Sequence, residues 1–458
     1  MVSSIIRIKR GFDVRLAGPP AAAVADVPPS ATVAVCPGEF AGLRPRLKVK
    51  EGDAVRRGTP LLEDKTVAGF QLCAPAAGTV AAIEYGERRA IRRIVIRRGA
   101  SDEAEALPRL AAGGTAGLAR EAILENLKAT GYLSLIRQRP LSRMADPAVT
   151  PKSIFVNGMN TAPFAPDLHV VVRGQEDAFQ AGLDILGRLT AGRVYLCLGP
   201  EAEGDGPAVN GARNVEIRRF SGPHPSGNTS VHIHLVDAIS PGDRVWAVKG
   251  VDVVRIGRLF LDGAPPATRI VSLAGPGVRD WARRHYRVGE GTDLASLLAD
   301  RLAGASLRVV AGDALGGERV AADGSLPFLA GGLTVLREDP ERRFLGWMAP
   351  GFGQYSASAL FPSRWLSPRK AWDLGTNLNG GNRAMVATGL YDRVLPMNIL
   401  VDQLVRAVLA HDVEEAVQLG LLEVDPEDFA LCSFVCPSKT DLVGIIRKGL
   451  DEAAAEGL

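Results

Sequence analysis

The first hundred residues alternate short apolar runs with glycine turns. Residues 49–65 read VKEGDAVRRGTPLLEDK, and residues 74–80 read APAAGTV. Apolar runs this short between glycines are typical of tight hairpins in a small β-sandwich. We therefore predict a β-rich domain over residues 1–100.

Beyond residue 100 the pattern changes to strands that alternate with amphipathic helices. Helices are expected over residues 121–132 and 175–190, and in the second Phe179, Leu183 and Leu186 share one face. A further helix and the intervening strands are predicted at residues 252–261 (helix) and 154–156, 194–198, 231–236 and 269–274 (strands). Such alternation predicts a parallel sheet with crossover helices.

The rest of the pattern divides into two parts. Residues 276–345 carry short strands and glycine turns, typical of a small α+β domain, and the chain from residue 396 onward is mostly helical. The predicted fold class is therefore a multidomain α/β protein. Its predicted domains cover residues 1–100, 101–275, 276–345 and 346–458.

Composition and charge argue against two classes of protein. The chain has 458 residues and a formal net charge of +3, so no global field for nucleic acid is expected. Five scattered cysteines without a secretory signal favour a reducing compartment. The longest uncharged window, residues 66–83, contains a proline and glycines and belongs to the predicted hairpins. Because a spanning helix needs roughly 20 apolar residues, we predict no transmembrane helix.

The predicted α/β region lacks the motifs that hold a nucleotide phosphate. After its first predicted strand, residues 157–162 read NGMNTA in place of Gly-x-Gly-x-x-Gly. No Gly-x-x-x-x-Gly-Lys-Ser/Thr sequence occurs in the chain. We therefore expect a Rossmann-like topology without bound NAD or ATP.

Three histidines and one glycine-rich loop are candidate ligand sites. His232 and His234 are predicted on one face of a strand, with His224 upstream, but the spacing fixes no fourth ligand. Hydrogen-bonded histidines are the favoured interpretation and a zinc site is the alternative. Residues 375–382 read GTNLNGGN and could hold an anion through backbone amides, although a loop of several turns is favoured.

A cysteine pair near the C-terminus resembles half of an iron–sulfur motif. Cys432 and Cys436 stand in CSFVCP, which ends like a bacterial ferredoxin motif. A four-iron cluster needs two more cysteines upstream, where residues 427–431 read EDFAL. Two thiolates cannot hold such a cluster. We expect a relic in which the helix is kept and the metal is lost.

The first domain also resembles the biotinyl/lipoyl-carrier fold. Its motif Val-x-x-Gly-Asp-x-Val-x-x-Gly-x-x-Leu begins at Val49, and Ala-Pro-x-x-Gly-x-Val begins at Ala74. In carriers a lysine on the central hairpin takes the prosthetic group, and Lys65 is close to that place. The loop from Lys65 to Phe70 is longer than the carriers' two-residue turn, so we predict an unmodified Lys65. A free-standing carrier-like scaffold with lipoylated Lys65 is the alternative.

An ordered series of stretches along the whole chain resembles the NqrA family, which supplies one subunit of the sodium-translocating NADH:quinone oxidoreductase. The stretches lie at residues 8–11, 42–45, 74–78, 131–133, 137–140, 222–225, 256–261, 345–347, 382–386 and 431–437. The chain is less similar to the C subunit of the Rnf complex and to the flavin-carrying peripheral subunit of respiratory complex I. Those proteins have a Gly-Gly-Ala-Gly-Phe-Pro flavin loop where residues 130–135 read TGYLSL. Departures from the NqrA pattern are local, at residues 164–166 and 372–375.

This resemblance implies an α/β core with a biotinyl/lipoyl-carrier-like β domain, a β-grasp (SLBB) domain and a C-terminal helical domain. It implies a peripheral subunit on the cytoplasmic face of the inner membrane, with five other subunits as partners, among them a membrane subunit for quinone and flavin. NADH, the flavins and the iron–sulfur centre then lie on those subunits, while the complex reduces ubiquinone and exports sodium. No catalytic residue, cofactor or metal is expected on this chain.

A quinone site needs a flat apolar slot for the ring and hydrogen-bond donors for its carbonyl groups. Two segments that match the family carry such groups. We expect Phe40 and Tyr132 to bracket the ring, and Arg44, Arg137 and Arg139 to donate to its oxygens. The alternative assigns these arginines to salt bridges or to docking on a membrane subunit, since arginine is enriched at interfaces.

Overall fold

The computed structural model describes residues 5–108, 114–201, 206–339, 348, 350–358 and 360–458. Within these ranges the strands form four sheets, of seven, six, four and three strands. The two larger sheets each receive one strand from the N-terminal segment of the chain.

The first two strands pair with later parts of the chain. β1 (Ile6–Arg7) lies parallel to residues 220–221, and β2 (Ala21–Asp26) lies parallel to residues 284–287. This differs from the prediction that placed the N-terminal strand with the β domain of residues 1–100. The hydrophobic pattern indicates that a segment is extended, but it does not identify the partner strand.

The two smaller sheets form a β-sandwich. Its strands are β3 (Thr32–Val35), β4 (Pro45–Leu47), β5 (Ala54–Val55), β6 (Pro60–Asp64), β7 (Gln71–Cys73), β8 (Gly78–Tyr85) and β9 (Ile91–Arg98). One sheet has the order β3-β9-β8-β5 and the other β4-β6-β7. Leu61, Leu62, Phe70, Ile94 and Ile96 are buried in its core, which confirms the predicted hairpin pattern.

The seven-stranded sheet is the centre of the α/β domain. Its later strands are β10 (Ile136–Arg139), β11 (Arg143–Met144), β12 (Ser153–Asn157), β13 (Arg193–Leu198), β14 (Glu216–Ser221) and β15 (Val245–Lys249). The helices around it are α1 (Arg120–Thr130), α2 (Leu168–Val172), α3 (Glu176–Gly187), α4 (Pro207–Asn210), α5 (Thr229–Val236) and α6 (Gly250–Asp262). The strand order is β1-β14-β13-β12-β15-β10-β11, with the strands from β1 to β15 parallel and β10 antiparallel.

This sheet separates two hydrophobic cores, because successive residues of a strand point to opposite faces. Ile154 and Val156 of β12 belong to the core shared with α3 and α6, whereas Phe155 belongs to the core shared with the C-terminal helices. Helices α3 and α6 approach closely at Gly257, where a Cβ atom would lie 1.7 Å from the carbonyl oxygen of Ala178. Only glycine permits this approach.

One predicted strand of the α/β domain is wrong. Residues 231–236 belong to helix α5, and not to a strand. A short apolar run is compatible with a buried helix as well as with a strand, and periodicity alone cannot separate the two. His232 and His234 therefore do not share the face of a strand.

The six-stranded sheet is formed mainly by the chain after residue 267. Its strands besides β2 are β16 (Thr268–Ala274), β17 (Arg284–Gly289), β18 (Leu307–Ala311), β19 (Glu318–Val320) and β20 (Gly332–Arg337), with one helix, α7 (Leu294–Leu298). Their order is β19-β18-β20-β16-β17-β2. The strand predicted at residues 269–274 therefore belongs here and not to the Rossmann-like sheet. After α6, Gly263 and Pro265–Pro266 interrupt regular structure, which lets the chain enter a new sheet.

The C-terminal part is mostly helical, as predicted. Its helices are α8 (Ser363–Leu366), α9 (Tyr391–Val394), α10 (Val401–Leu409), α11 (Val413–Gln418), α12 (Ala430–Val435) and α13 (Leu442–Ala455). Residues 375–382 form a loop. Among the described residues, no helix combines the length and the apolar character that crossing a membrane requires.

Buried polar contacts join the C-terminal helices to the α/β domain. Arg139 on β10 forms an ion pair with Asp425, and both side chains are buried. The Asn228 amide donates to Oδ1 of Asp428 at 2.9 Å, and Oδ2 of Asp428 accepts the backbone N–H of Asp425 at 2.8 Å. These contacts fix the turn before α12 against the sheet.

We predict that Arg139→Ala destabilises this junction by about 3–5 kcal/mol, because the Asp425 charge would remain buried without its partner. The matched control is Arg143→Ala. Nη2 of Arg143 lies 3.3 Å from Oδ1 of Asp451 across the same junction, but both side chains are exposed. Its loss should cost less than about 1 kcal/mol. Calorimetric unfolding and limited proteolysis of the C-terminal helices measure the difference, and equal effects of the two variants would contradict the prediction.

Candidate functional site

An open pocket lies where the β-sandwich, the α/β domain and the six-stranded sheet meet. Including the space at its mouth, it encloses about 530 Å³. Its walls come from distant parts of the chain, represented by Phe40, Cys73, Tyr132, Pro265, Glu290 and Phe328. We call it the interdomain pocket.

Three aromatic rings form one wall of the interdomain pocket. The ring centroids of Phe40 and Phe328 are 6.0 Å apart, and those of Tyr132 and Phe328 are 5.4 Å apart. The Tyr132 and Phe328 rings meet at 81°, an edge-to-face arrangement that favours contact between aromatic side chains. The wall can therefore accept another flat apolar ring.

Tyr132 reaches this wall because helix α1 ends in a glycine turn. Gly131 has a φ of +82°, and a Cβ atom there would lie 2.9 Å from the carbonyl oxygen of Gln71 in the sandwich. Both conditions favour glycine. The turn directs the next residue, Tyr132, inward, where it is 2% exposed.

Glu39 is the group in the pocket whose charge changes near neutral pH. Its Oε2 accepts the backbone N–H of Leu329 at 3.1 Å. Burial raises the pKa of Glu39 to about 7, because desolvation disfavours the carboxylate, although Arg269 and Arg255 oppose the shift. Burial likewise raises the pKa of Cys73 to about 12, so this thiol stays protonated. Glu39 can thus accept or release a proton at the pocket.

A buried group of four charged side chains lies behind the aromatic wall. Nε of Arg255 donates to Oε1 of Glu290 at 3.1 Å, and Nη1 of Arg255 donates to Oδ1 of Asp252 at 2.8 Å. Nε of Arg269 lies 3.3 Å from Oε2 of Glu290. Two cations therefore face two anions, the condition under which buried charges are tolerated.

The same charged group holds Phe328 in place. The guanidinium carbon of Arg255 lies 4.2 Å from the ring centroid of Phe328 and 5.5 Å from that of Tyr132. The carbonyl oxygen of Phe328 accepts from Arg255 at 3.0 Å and from Arg269 at 2.5 Å. Arg269 also donates to the carbonyl oxygen of Pro327. Both the ring and the backbone of Phe328 are thus fixed from behind.

The structure divides the five residues predicted for a quinone ring into two groups. It places Phe40 and Tyr132 in the interdomain pocket. Arg44 is exposed on the sandwich. Arg137 and Arg139 lie on β10 beside the C-terminal helices, where Arg139 is in its buried ion pair. The alternative interpretation, an arginine in a salt bridge, therefore describes Arg139.

Sequence reasoning missed the polar side chains that do lie at the pocket. Glu39 directly precedes Phe40, so its position beside a candidate aromatic residue was a usable signal. Arg255 gave a second signal, since it interrupts the apolar face of the helix that the pattern predicted over residues 252–261. Glu290 and Phe328 gave no local signal, because they reach the pocket only through the six-stranded sheet.

Comparison with known families matches three parts of the chain. The NqrA N-terminal barrel-sandwich hybrid domain matches residues 6–99, the NqrA second alpha/beta domain residues 118–265, and the NQRA C-terminal domain, of the SLBB type, residues 270–322.

Curated relatives match over nearly the full length. The NqrA protein of the Na⁺-translocating NADH-quinone reductase of Pasteurella multocida is 38% identical over 456 residues, 99% of this chain and 100% of the relative. The proteins of the same description from Saccharophagus degradans and Neisseria meningitidis serogroup C are 37% and 38% identical, with the same coverage. This chain belongs to that family.

The interdomain pocket lies where the three matched domains of this family meet. Phe40 belongs to the first matched range, Tyr132 to the second and Glu290 to the third. The expected fold, with a carrier-like barrel-sandwich, an α/β domain, an SLBB domain and C-terminal helices, is confirmed. The family assignment is confirmed as well.

The histidines and cysteines singled out in the sequence have structural partners. His232 is buried and its Nε2 lies 2.9 Å from the carbonyl oxygen of Ser226, while Nδ1 of His234 lies 3.2 Å from a carboxylate oxygen of Glu423. Cys436 Sγ lies 3.0 Å from a tyrosine hydroxyl. Within the part of the chain that the structure describes, no three His, Cys, Asp or Glu side chains are arranged to hold a metal ion.

We predict that Glu39→Gln changes how stability depends on pH. Because the pKa of Glu39 is raised to about 7, the folded chain holds this proton more tightly than the unfolded chain does. The resulting stabilisation is present at acid pH and is lost as the pH rises through about 7. Relative to Glu39→Gln, the wild type should therefore lose roughly 2 kcal/mol between about pH 5 and pH 8.

Thermal unfolding of both proteins across this pH range measures the effect. Glu87→Gln, which changes an exposed carboxyl group of the same domain, is the control and should follow the wild type. A stability difference between wild type and Glu39→Gln that does not vary with pH would show that Glu39 ionises normally.

Proposed function

We propose that this chain is a peripheral subunit on the cytoplasmic face of a membrane complex that oxidises NADH, reduces ubiquinone and exports sodium. In this proposal the interdomain pocket binds the quinone ring, and the chain also supports assembly with five other subunits. The names of its full-length relatives support membership in such a reductase. The quinone assignment is supported by the pocket itself.

The observation that carries the quinone assignment is the combination of an aromatic wall with one titrating carboxyl group. Phe40, Tyr132 and Phe328 offer flat apolar contacts to a quinone ring. Glu39 stands beside Phe40 and can donate a hydrogen bond to a quinone carbonyl when it is protonated. These groups replace the three arginines as the proposed contacts to the quinone oxygens, whereas Phe40 and Tyr132 keep their proposed place.

The chemistry of quinone reduction assigns a limited part to this chain. A quinone becomes a quinol by taking up two electrons and two protons. The electrons come, in this proposal, from flavins and an iron–sulfur centre on other subunits. Glu39 can supply one of the protons and recover it from solvent, because its pKa of about 7 allows both steps at neutral pH. No catalytic residue, cofactor or metal is assigned to this chain.

We predict that Phe40→Ala and Phe328→Ala weaken quinone binding in the assembled complex. Each removes an aromatic contact, so the apparent KM for a soluble ubiquinone should rise by roughly tenfold. The control is Arg44→Ala, which changes an exposed side chain of the same domain outside the pocket and should leave KM unchanged. Steady-state quinone reduction by purified complex, with subunit content checked on gels, measures the effect.

Two results would count against this assignment. If assembly is normal and both phenylalanine variants keep the wild-type KM and inhibitor sensitivity, the quinone binds elsewhere, in a membrane subunit. If Arg137→Ala or Arg139→Ala raises KM without loss of assembly, the arginines and not Glu39 contact the quinone oxygens.

The second candidate function, a lipoylated carrier, depends on Lys65. The structure places Lys65 in the turn between β6 and β7, where residues 65–70 connect the two strands. The backbone N–H of Lys65 donates to the carbonyl oxygen of Arg44 at 3.0 Å, and buried Asp64 accepts the N–H groups of Arg44 and Thr66. A lysine in this tied, longer turn does not match the short exposed hairpin of carriers.

We therefore predict that Lys65 is unmodified in the natively expressed chain. Intact-mass measurement should give the mass of the unmodified sequence, and the Lys65→Arg variant should keep normal activity in the complex. A lipoyl or biotinyl adduct on the peptide that contains Lys65 would contradict this and favour the carrier.

A further inference from the structure

The most exposed large hydrophobic side chains of the described residues are close together in sequence. Five of them are at least 63% exposed: Met348, Phe352, Leu360, Trp365 and Leu366. Every other exposed large hydrophobic side chain in the described ranges is at most 57% exposed. A concentration of this kind on a protein surface marks a binding surface.

Residues 351–372, which we call the aromatic loop, have an inner side that packs on the rest of the chain. Oγ of Ser356 accepts the backbone N–H of Leu360 at 2.8 Å. The ring centroid of Tyr355 lies 6.0 Å from that of Trp372. Because these inner contacts are made, the outward apolar side chains are left over as a surface and are not needed to close the loop.

The charge of the aromatic loop is of one sign. Between residues 351 and 372 the sequence contains Arg364, Arg369 and Lys370 and no aspartate or glutamate. Arg15 adds a cation beside the loop, since its guanidinium donates to the carbonyl oxygen of Pro368. Tryptophan with flanking lysine and arginine is the composition of segments that lie at a membrane–water interface.

We propose that the aromatic loop docks on the surface of an anionic phospholipid bilayer. Trp365 and Leu366, adjacent on the single turn of α8, enter the boundary between headgroups and acyl chains, and Arg369 and Lys370 contact lipid phosphates. A lipid surface fits better than a protein partner because it is anionic throughout and deforms around protruding side chains. This contact goes beyond the proposed function and does not depend on what the interdomain pocket binds.

Vesicle sedimentation of the purified full-length chain tests the proposal. The probes are vesicles of phosphatidylcholine alone and of phosphatidylcholine mixed with phosphatidylglycerol. We expect the wild type to partition at least about tenfold more strongly onto the mixed vesicles at low salt, and to lose this preference at high salt.

Matched variants separate the apolar and the charged contributions. The double variant Trp365→Ala/Leu366→Ala should bind mixed vesicles roughly tenfold more weakly. Trp281→Ala is the control, because Trp281 is 52% exposed on the SLBB domain and stands next to Asp280; it should bind like the wild type. Arg369→Gln/Lys370→Gln should abolish the preference for phosphatidylglycerol. Thermal unfolding verifies that each variant is folded.

Three results would overturn the proposal. The first is a wild type that does not bind mixed vesicles, and the second is a Trp365→Ala/Leu366→Ala variant that binds them as the wild type does. The third is failure of this variant to copurify with the other subunits while it still binds vesicles normally, which would identify the aromatic loop as a protein interface. Quinone reduction by the assembled complex is read separately, so failure of lipid docking and failure of the quinone assignment are distinguishable.

Discussion

The buried contact of Arg255 and Arg269 with Glu290 is the constraint on which the arrangement of the domains depends. Arg255 lies on α6, Arg269 on β16, and Glu290 directly after β17. All three side chains are at least nine-tenths buried, so removing one of them would leave charge without compensation, at a cost of about 3–5 kcal/mol. The α/β domain and the SLBB domain are therefore held in one relative position, and Phe328 is held with them.

The interdomain pocket follows from this position. Phe328 is fixed by the two arginines, Tyr132 is directed inward by the Gly131 turn, and the sandwich adds Phe40 and Glu39 from the third side. The chain also links the domains through its N-terminal strands, since β1 joins the seven-stranded sheet and β2 the six-stranded sheet. A site of this kind exists only when all three domains are in place.

Local pattern predicted the elements better than their partners. The strand predicted at residues 154–156 is Ser153–Asn157, and the helix predicted over 175–190 is Glu176–Gly187, because apolar spacing directly reports which face is buried. The same logic failed at residues 231–236, where a short apolar run is compatible with either element. It also assigned the strand at 269–274 to the wrong sheet, since spacing carries no information about the neighbouring strand.

The sequence by itself determined the family, the type of most elements, and the insufficiency of Cys432 and Cys436 for a four-iron cluster. It also identified Phe40 and Tyr132 as candidate aromatic groups. Only the tertiary structure decided which polar groups stand beside them: Arg139 is engaged with Asp425, and Glu39 is at the pocket. The physical reason is that a charged side chain takes its role from the charges and the burial around it, and folding brings these from distant parts of the chain.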